Sequence, residues 1–206
     1  MKRIRVVLAL CTLALGGCGA ASRQNVVPRH YTLSQLAPAA TQTSPHPDGA
    51  ILRIARIEMP AWLQGTGLYY RLAYRNDNVV AAYANSDWAA PPAGMLEERL
   101  RNALTDGGWR AVIGPGNTAQ AGFTLHISLD DFSQVFTSPG ESVGVLDGAA
   151  TLVGANDAVI AQRRFRFRVA APSADAAGGV KALDAASRDF AQQVRDWLAT
   201  QQPNRS

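Results

Sequence analysis

His126 and Asp130 are one pair of side chains in this 206-residue sequence whose types could serve proton transfer. Both fall on the polar side of FTLHISLDDF, residues 123–132, where apolar and polar residues alternate with the period of a β-strand. This position favours a solvated surface pair over a catalytic dyad. Asp130 and Asp131 could act as paired carboxylates. However, consecutive strand residues point to opposite faces, so these two cannot meet on one substrate without a bulge.

Other catalytic and metal-binding patterns have no local support in the sequence. The two remaining histidines, His30 and His46, have no cysteine at ligand spacing, and no H-E-x-x-H pattern occurs. Neither G-x-S-x-G nor S-x-x-K occurs, so a serine nucleophile is not indicated. Residues 114–117, GPGN, lack the lysine and the strand–loop–helix context of a phosphate loop. The sequence therefore predicts a protein that is not an enzyme and uses no metal or cofactor.

Cys18 stands in the most informative local pattern. Three cations within the first five residues precede an apolar run, residues 6–15, and the run ends at LGGC, residues 15–18. The run is shorter than the roughly 20 residues of a membrane-spanning helix and suits a signal peptide. Small residues directly before a cysteine are typical of a bacterial lipobox. The pattern predicts cleavage after Gly17, then acylation of the Cys18 thiol and of its new α-amine. An ordinary secreted protein cut at another small residue is the alternative.

Removing the signal peptide changes what the composition implies. The formal net charge of +4 falls to +1, because three of the 20 basic residues and none of the 16 acidic residues lie in residues 1–17. Phosphate binding needs several clustered cations, so a nucleic-acid partner is not predicted. Cys11 would be removed and Cys18 would carry lipid, so the mature chain has no thiol for a disulfide or for catalysis.

Strand patterns outnumber helix patterns in the mature chain. We predict strands near residues 30–34, 51–59, 68–75, 79–84, 109–114, 123–132, 142–153 and 158–169. A helix in MLEERLRNALTDGG, residues 95–108, places Leu96, Leu100, Ala103 and Leu104 on one face. A last helix over about residues 175–201 has an apolar stripe of Val180, Leu183, Phe190, Val194, Trp197 and Leu198, and Pro203 lies beyond it.

These elements predict one domain of α/β or α+β class, with a mixed, mostly antiparallel sheet and two main helices packed on one face. The predicted organisation is a lipoprotein signal peptide (1–17), a lipid-anchored tether (18–29), the domain (30–202) with a flexible loop (37–49), and a C-terminal tail (203–206).

QRRFRFRV, residues 162–169, is the most unusual surface pattern. Phe165 and Phe167 would face the core, while Arg164, Arg166 and Arg168 form a row on the other face. Cations are common on the exposed face of an edge strand, which gives a purely structural interpretation. The functional interpretation is a docking strip for an acidic protein surface or for lipid headgroups.

Several segments together resemble the ABC-type transport auxiliary lipoprotein family, whose best-known type is the intermembrane transport lipoprotein PqiC. Each motif is weakly specific, but their order and spacing cover nearly the whole mature chain. The matching segments are the lipobox at Cys18, HYTL at residues 30–33, RIARIEMPAWLQGTGLYYRL at 53–72 with Pro60, Leu63 and Arg71, SDWAAPPAGMLEERLRNAL at 86–104, and IAQRRFRFRVAAPSADAAGGVKALDAASRDFAQQVRDWL at 160–198.

The resemblance implies a partner of an envelope lipid-transport system, in which an ABC transporter permease and ATPase work with an Mce-domain protein that carries lipid. It also suggests a homo-oligomer and phospholipid as a further partner, but the sequence does not tell whether this chain itself contacts lipid. No catalytic residue is carried over, and Cys18 is the one functional position that transfers. Gly19 is not the aspartate that retains enterobacterial lipoproteins in the inner membrane, which favours anchoring in the outer membrane, facing the periplasm.

Three functions compete at this point. The first is a non-enzymatic transport component that docks a lipid-carrying partner at the membrane. The second is a structural envelope lipoprotein that supports outer-membrane assembly. The third is a periplasmic hydrolase, which would require a working polar cluster such as His126 with Asp130. Co-purification of an Mce-domain protein or phospholipid would separate the first from the second.

Overall fold

One long strand organises the sheet in the computed structural model, which describes residues 27–34, 49–105 and 107–201. The sheet has eight strands and is not closed, and two helices complete the domain. In chain order the elements are β1 (Arg29–Tyr31), β2 (Ile51–Ile54), a 3-10 turn (Ala61–Leu63), β3 (Gly67–Leu72), β4 (Val80–Trp88), α1 (Pro92–Leu104), β5 (Ala111–Ile113), β6 (Phe123–Ser138), β7 (Glu141–Gly154), β8 (Val159–Ala170) and α2 (Ala176–Gln201).

Strand β6 is the long one, and it has different partners along its two edges. One edge pairs antiparallel with β7 along nearly its whole length, and β7 pairs antiparallel with β8. The other edge is shared, because the start of β6 pairs parallel with β2 and its end pairs parallel with β3. On the outer side of β2 lies β5. On the outer side of β3 lies β4, followed by β1 at the edge of the sheet. Antiparallel pairs cover most of the paired length, so the predicted mixed, mostly antiparallel sheet is confirmed.

The predicted alternation in β6 holds for its first half and ends at a bulge. Leu125, Ile127 and Leu129 are buried, and the register with β7 shifts between Leu129 and Asp131. Gly148 lies opposite this bulge, where an added Cβ would clash with the backbone of Ser128. The bulge gives β6 one extra residue, and beyond it every residue from Phe132 to Phe136 is buried, so both faces of this part of the strand are covered.

Helix α2 packs across β7 and β8 through the predicted apolar stripe. Leu183, Phe190 and Val194 are fully buried and Trp197 is nearly so, which confirms that this stripe faces the core. A Cβ on Gly144 of β7 would lie only 2.7 Å from the backbone nitrogen of Leu183. The helix backbone therefore rests directly on the sheet, which requires a glycine at this position.

Helix α1 packs against α2 and β5, so both helices lie on one face of the sheet, as predicted. Leu96, Leu100 and Leu104 are completely buried. The helix begins three residues before the predicted start at Met95, because Pro92 occupies its first turn, where a missing amide hydrogen costs nothing.

The first predicted strand is shorter in the structure. It was expected at residues 30–34, but β1 ends at Tyr31. Leu33 turns into the core, and the backbone amide of Ser34 donates a hydrogen bond to Asp184 Oδ1 at 2.9 Å. A side chain of α2 thus replaces a strand partner at this point.

The second predicted strand is also interrupted early. Strand β2 ends at Ile54, although the segment continues beside β6 through an isolated bridge between Glu58 and Ser128. Between Ile54 and Glu58, the amide of Ile57 donates to Glu97 Oε1 of α1 at 2.8 Å. This amide therefore bonds to a helix side chain instead of a neighbouring strand.

Cys18, the tether up to residue 26, residues 37–48 of the predicted loop (37–49) and Pro203 lie outside the described residues. Among the helices that the structure does describe, none combines the length and apolar character needed to cross a membrane.

Candidate partner-docking surface

Strand β8 presents two chemically different faces. Phe165 and Phe167 are buried, and both rings contact Phe190 of α2 edge-on, with centroids 5.4 and 6.3 Å away. The ring of Phe165 also meets Trp197 at 6.1 Å. The side chains of Arg164, Arg166 and Arg168 (the arginine strip) lie on the opposite, exposed side, as the alternating sequence predicts. The aromatic contacts hold the strand that carries the strip.

The arginine strip is partly neutralised by acidic residues on β6 and β7. Arg164 Nη2 donates to Asp147 Oδ1 at 3.1 Å and also to Asp130, and these hydrogen bonds, that to Asp130 first, raise the pKa of Arg164. Arg166 Nε lies 3.3 Å from Asp147 Oδ2, but the Arg166 side chain remains 71% exposed. Arg168 is exposed and forms no ion pair with any described residue. Arg166 and Arg168 are therefore the cations of the strip that a partner can reach.

The edge on which the strip lies is open. Within the described part of the chain, β8 pairs with β7 and with no other strand. Its outer edge therefore offers backbone donors and acceptors over the length of a twelve-residue strand, beside the exposed arginines. An acidic segment of a partner could meet both features at once.

The structure does not bring the candidate acid–base residues together. Asp130 is bound by Arg164, and no hydrogen bond joins it to His126, which is exposed on β6. Asp131 is bound by Arg71 of β3 and accepts a hydrogen bond from Ser133 Oγ at 2.7 Å. Burial raises the pKa of Asp131 despite these two partners. The two neighbouring carboxylates are thus bound by different arginines, with the bulge between Leu129 and Asp131 at this point of the strand.

A second arginine site, which no sequence motif predicted, lies buried between the helices. Arg99 of α1 donates to Asp184 Oδ1 at 2.7 Å, to Ser187 Oγ at 2.9 Å and to the Ser34 carbonyl. Arg188 binds the same carboxylate. We call these residues, Arg99, Asp184, Ser34, Ser187 and Arg188, the Arg99 cluster.

The electrostatics of the Arg99 cluster favour an ionised Asp184. Burial alone would raise the pKa of Asp184, but hydrogen bonds from Ser34 and Arg99 outweigh it and hold the pKa below its ordinary value. Every charged member is paired, so the cluster ties residue 34, which precedes the predicted loop, to both helices. Arg99 follows Leu96 by three residues on the apolar face of α1, and this position was the sequence signal for a buried arginine.

Metal ligation finds no support in the described residues. Across residues 27–34, 49–105 and 107–201, no group of three or more His, Cys, Asp or Glu side chains is placed to hold a metal ion. Of the other histidines, His30 is exposed on β1, and His46 lies outside the described range.

Two solved structures share the fold. Protein XCC0632 from Xanthomonas campestris, of family DUF330, is 20% identical with a TM-score of 0.66, and the alignment covers 85% of this chain and 94% of that one. An uncharacterized protein is 17% identical with the same TM-score, over 84% and 99% of the two chains. No curated protein matches the sequence.

Residues 31–195 match the family described as ABC-type transport auxiliary lipoprotein component. This range includes β8, α1, most of α2 and the Arg99 cluster, and the chain therefore belongs to that family.

Proposed function

We propose that this protein is anchored by acylated Cys18 in the outer membrane, faces the periplasm, and docks a lipid-carrying Mce-domain protein through the arginine strip. The Mce-domain protein works with an ABC transporter permease and ATPase. The observation that carries the proposal is that exposed Arg166 and Arg168 lie on an open strand edge, in a chain of the transport auxiliary lipoprotein family. Docking requires no bond to be made or broken, so the proposal assigns no catalytic role to His126 or Asp130.

The length of the tether supports a division of labour between two proteins. Twelve residue steps join Cys18 to His30, which reach at most about 43 Å when fully extended. A flexible chain of that length has an end-to-end distance of about 20 Å. The domain therefore stays close to the leaflet that holds its acyl chains and cannot span the periplasm. A second component must bring the phospholipid to it.

The anchoring part of the proposal is tested at Cys18. A Cys18→Ala variant is expected to accumulate as an unacylated precursor with its signal peptide attached. The wild-type chain should fractionate with outer membranes, and its N-terminal peptide should carry the mass of the acyl groups. Wild-type protein that is soluble in the periplasm with a free Cys18 thiol would overturn the proposal, and wild-type protein in inner membranes would overturn the Gly19 argument alone.

The docking part is tested by partner capture. Crosslinking in cells that express the wild-type chain should recover an Mce-domain protein together with phospholipid. A variant with Arg166→Glu and Arg168→Glu should recover much less of it at equal abundance. Recovery of the same partner in the same amount from both would mean that the strip is only a solvated strand face.

A second use of the same surface is a contact between copies of this chain in a homo-oligomer. The open edge of β8 could serve such a contact as well as it serves a different partner. Size analysis of the wild-type and Arg166→Glu/Arg168→Glu proteins separates the two uses. A smaller assembly in the variant assigns the strip to the subunit contact. An unchanged assembly with lost Mce-domain binding assigns it to the partner.

A further inference from the structure

The large apolar side chains that are exposed in the described residues concentrate at two strand turns. Tyr74, Val79 and Val80 are 38%, 55% and 40% exposed around the turn between β3 and β4. We call these three, together with Arg75, the β3–β4 tip. Val159 and Ile160 are 65% and 44% exposed at the turn between β7 and β8, and we call them the β7–β8 tip.

The two tips lie at opposite ends of β6. Leu72, just before the β3–β4 tip, pairs with Phe136 near the end of β6. Val153, which pairs with Val159, also pairs with Thr124 near its start. Twelve residue steps along a strand separate these two positions, which is about 40 Å at the usual rise of a strand. If β6 is perpendicular to a flat membrane surface, only one of the two tips can therefore contact that surface.

The direction of β1 indicates which of the two tips lies nearer to the N-terminal anchor. Strand β1 runs parallel to β4, with Arg29 beside Ser86 and Tyr31 beside Trp88. Followed back from Arg29 toward the N terminus, the chain therefore heads in the direction in which β4 runs back to Val80. Val27, the first described residue, is 79% exposed. Residues 27–29 therefore run toward the β3–β4 tip as they are followed back toward the N terminus.

The remaining length is short enough to keep that tip near the anchor. Nine residue steps join Cys18 to Val27, which is at most about 32 Å fully extended and about 17 Å for a flexible chain. The β7–β8 tip lies farther from the anchor, because most of the length of β6 separates it from the β3–β4 tip.

The chemistry of the β3–β4 tip suits the surface of a bilayer. Tyr74 is an amphipathic ring of the kind that collects at membrane interfaces. The Arg75 guanidinium lies 5.6 Å from the centroid of that ring and forms no ion pair within the described residues, so it is available to a phosphate headgroup. Val79 and Val80 supply apolar surface, and the nearby carboxylate of Asp77 is paired with Arg71 at 3.4 Å.

Several backbone amides of the turn between β3 and β4 already have hydrogen-bond acceptors within the turn. The amides of Arg75 and Asn76 both donate to the Leu72 carbonyl, at 2.8 and 2.9 Å. The amide of Asn78 donates to Asn76 Oδ1 at 2.9 Å. Moving the tip from water to the headgroup region therefore leaves few donors without a partner, which is the main cost of burying irregular backbone.

We propose that the β3–β4 tip rests on the phospholipid surface of the leaflet that holds acylated Cys18. This inference rests on the lipidation in the proposed function and adds an orientation to it. Strands β6, β7 and β8 then stand away from the membrane, and the β7–β8 tip points into the compartment. The open edge of β8 is presented sideways to an arriving partner.

The experiment uses the acylated mature chain reconstituted in vesicles of phosphatidylethanolamine and phosphatidylglycerol. Its one native cysteine, Cys18, is blocked by lipid, so a cysteine introduced as Val79→Cys can carry a polarity-sensitive dye. Val159→Cys is the matched control, since it also replaces an exposed valine beside a strand turn. Nitroxide-labelled phospholipid is expected to quench the dye at position 79 several-fold more than the dye at position 159, and the emission at 79 should shift to the blue.

The outcomes separate this inference from the proposed function. Mass spectrometry of the vesicle-bound protein reports acylation of Cys18 directly. Acylated protein in which position 79 is quenched no more than position 159 overturns the orientation and leaves the anchoring intact. Protein without acyl groups overturns both. Circular dichroism of each labelled variant establishes that the domain is folded when quenching is measured.

Discussion

Two groups of arginines in this domain differ in almost every physical respect. In the Arg99 cluster, the Arg99 side chain is 3% exposed and its partner Asp184 is 13% exposed. In the arginine strip, the Arg166 side chain is 71% exposed, and its contact to Asp147 is long. The first group holds α1, α2 and the chain near Ser34 together. The second group lies on an open edge.

The difference separates stability from recognition. Breaking a buried ion pair leaves an uncompensated charge, whereas an exposed pair contributes little because water and salt screen it. Evolutionary change in the Arg99 cluster would therefore act on folding, and change in the arginine strip would act on binding. Substitutions in the two groups, and in the aromatic contacts beneath the strip, should therefore differ in their effect on stability.

Phe190→Ala should cause the largest loss of stability. Phe190 is fully buried and lies under both Phe165 and Phe167, so its truncation leaves a cavity between α2 and β8. Comparable changes cost about 3–5 kcal/mol in free energy of unfolding. Urea denaturation measures this loss. An unchanged midpoint would mean that α2 does not hold the strand that carries the strip.

Asp184→Ala should cost about 3 kcal/mol, because it leaves Arg99 buried without its carboxylate. Asp196→Ala is the matched control on the same helix, since Asp196 is 63% exposed, and its midpoint should barely move. A double variant, Arg99→Leu with Asp184→Leu, removes both charges and should recover much of the loss. Equal losses in Asp184→Ala and Asp196→Ala would show that the cluster is not a buried ion pair.

The stabilising effect of Asp184 should depend on pH. Hydrogen bonds from Ser34 and Arg99 outweigh burial and place its pKa in the folded protein below the ordinary value of 3.8. Its contribution is therefore complete above that value and is lost as the pH falls through the lower folded pKa. The difference in stability between wild type and Asp184→Asn should shrink on acidification through this range.

The comparison with Asp184→Asn is needed because Asp131 acts in the opposite direction. Burial raises the pKa of Asp131, so protonation at low pH relieves a cost in the folded state. The pH dependence of the wild type alone mixes the two effects. A stability difference between wild type and Asp184→Asn that stays constant with pH would contradict the account of the cluster.

Arg166→Glu with Arg168→Glu should change stability least, by less than about 1 kcal/mol, because both side chains are exposed. Arg164 is left in place because it binds two carboxylates, Asp130 and Asp147, whereas Arg166 contacts Asp147 alone. The glutamate at position 166 lies opposite Asp147, and this exposed like-charge pair is included in the expected loss. Thermal melting measures the effect. A large loss of stability would mean that Arg166 and Arg168 stabilise the fold, in contradiction to the role in binding assigned to them.

Local periodicity was enough to predict much of the fold. Alternation along β8 separated Phe165 and Phe167 from the three arginines, and the helical stripe predicted that Phe190 and Trp197 are buried. Both patterns arise from residues close in sequence. Such residues share a strand or helix face whatever the rest of the chain does.

The contacts that define the sites could not be predicted in this way. Arg99 and Asp184 are 85 residues apart, so their pairing follows from how α1 crosses α2. The neutralisation of Arg164 follows from the register of β7 against β8 and from the bulge at Asp131. The sequence predicted an unbroken cationic row because these long-range registers are not encoded in any one segment.

A binding titration tests the central claim, that the arginine strip docks an Mce-domain partner, most directly. The control carries Arg110→Glu and Lys181→Glu, two exposed cations on other parts of the surface, and so changes the net charge equally. The account predicts that Arg166→Glu with Arg168→Glu weakens the Kd for the Mce-domain protein at least about tenfold, while the control pair changes it by less than about twofold. Equal affinities for the wild type and the strip variant, or equal losses in the two charge-reversed proteins, would contradict it.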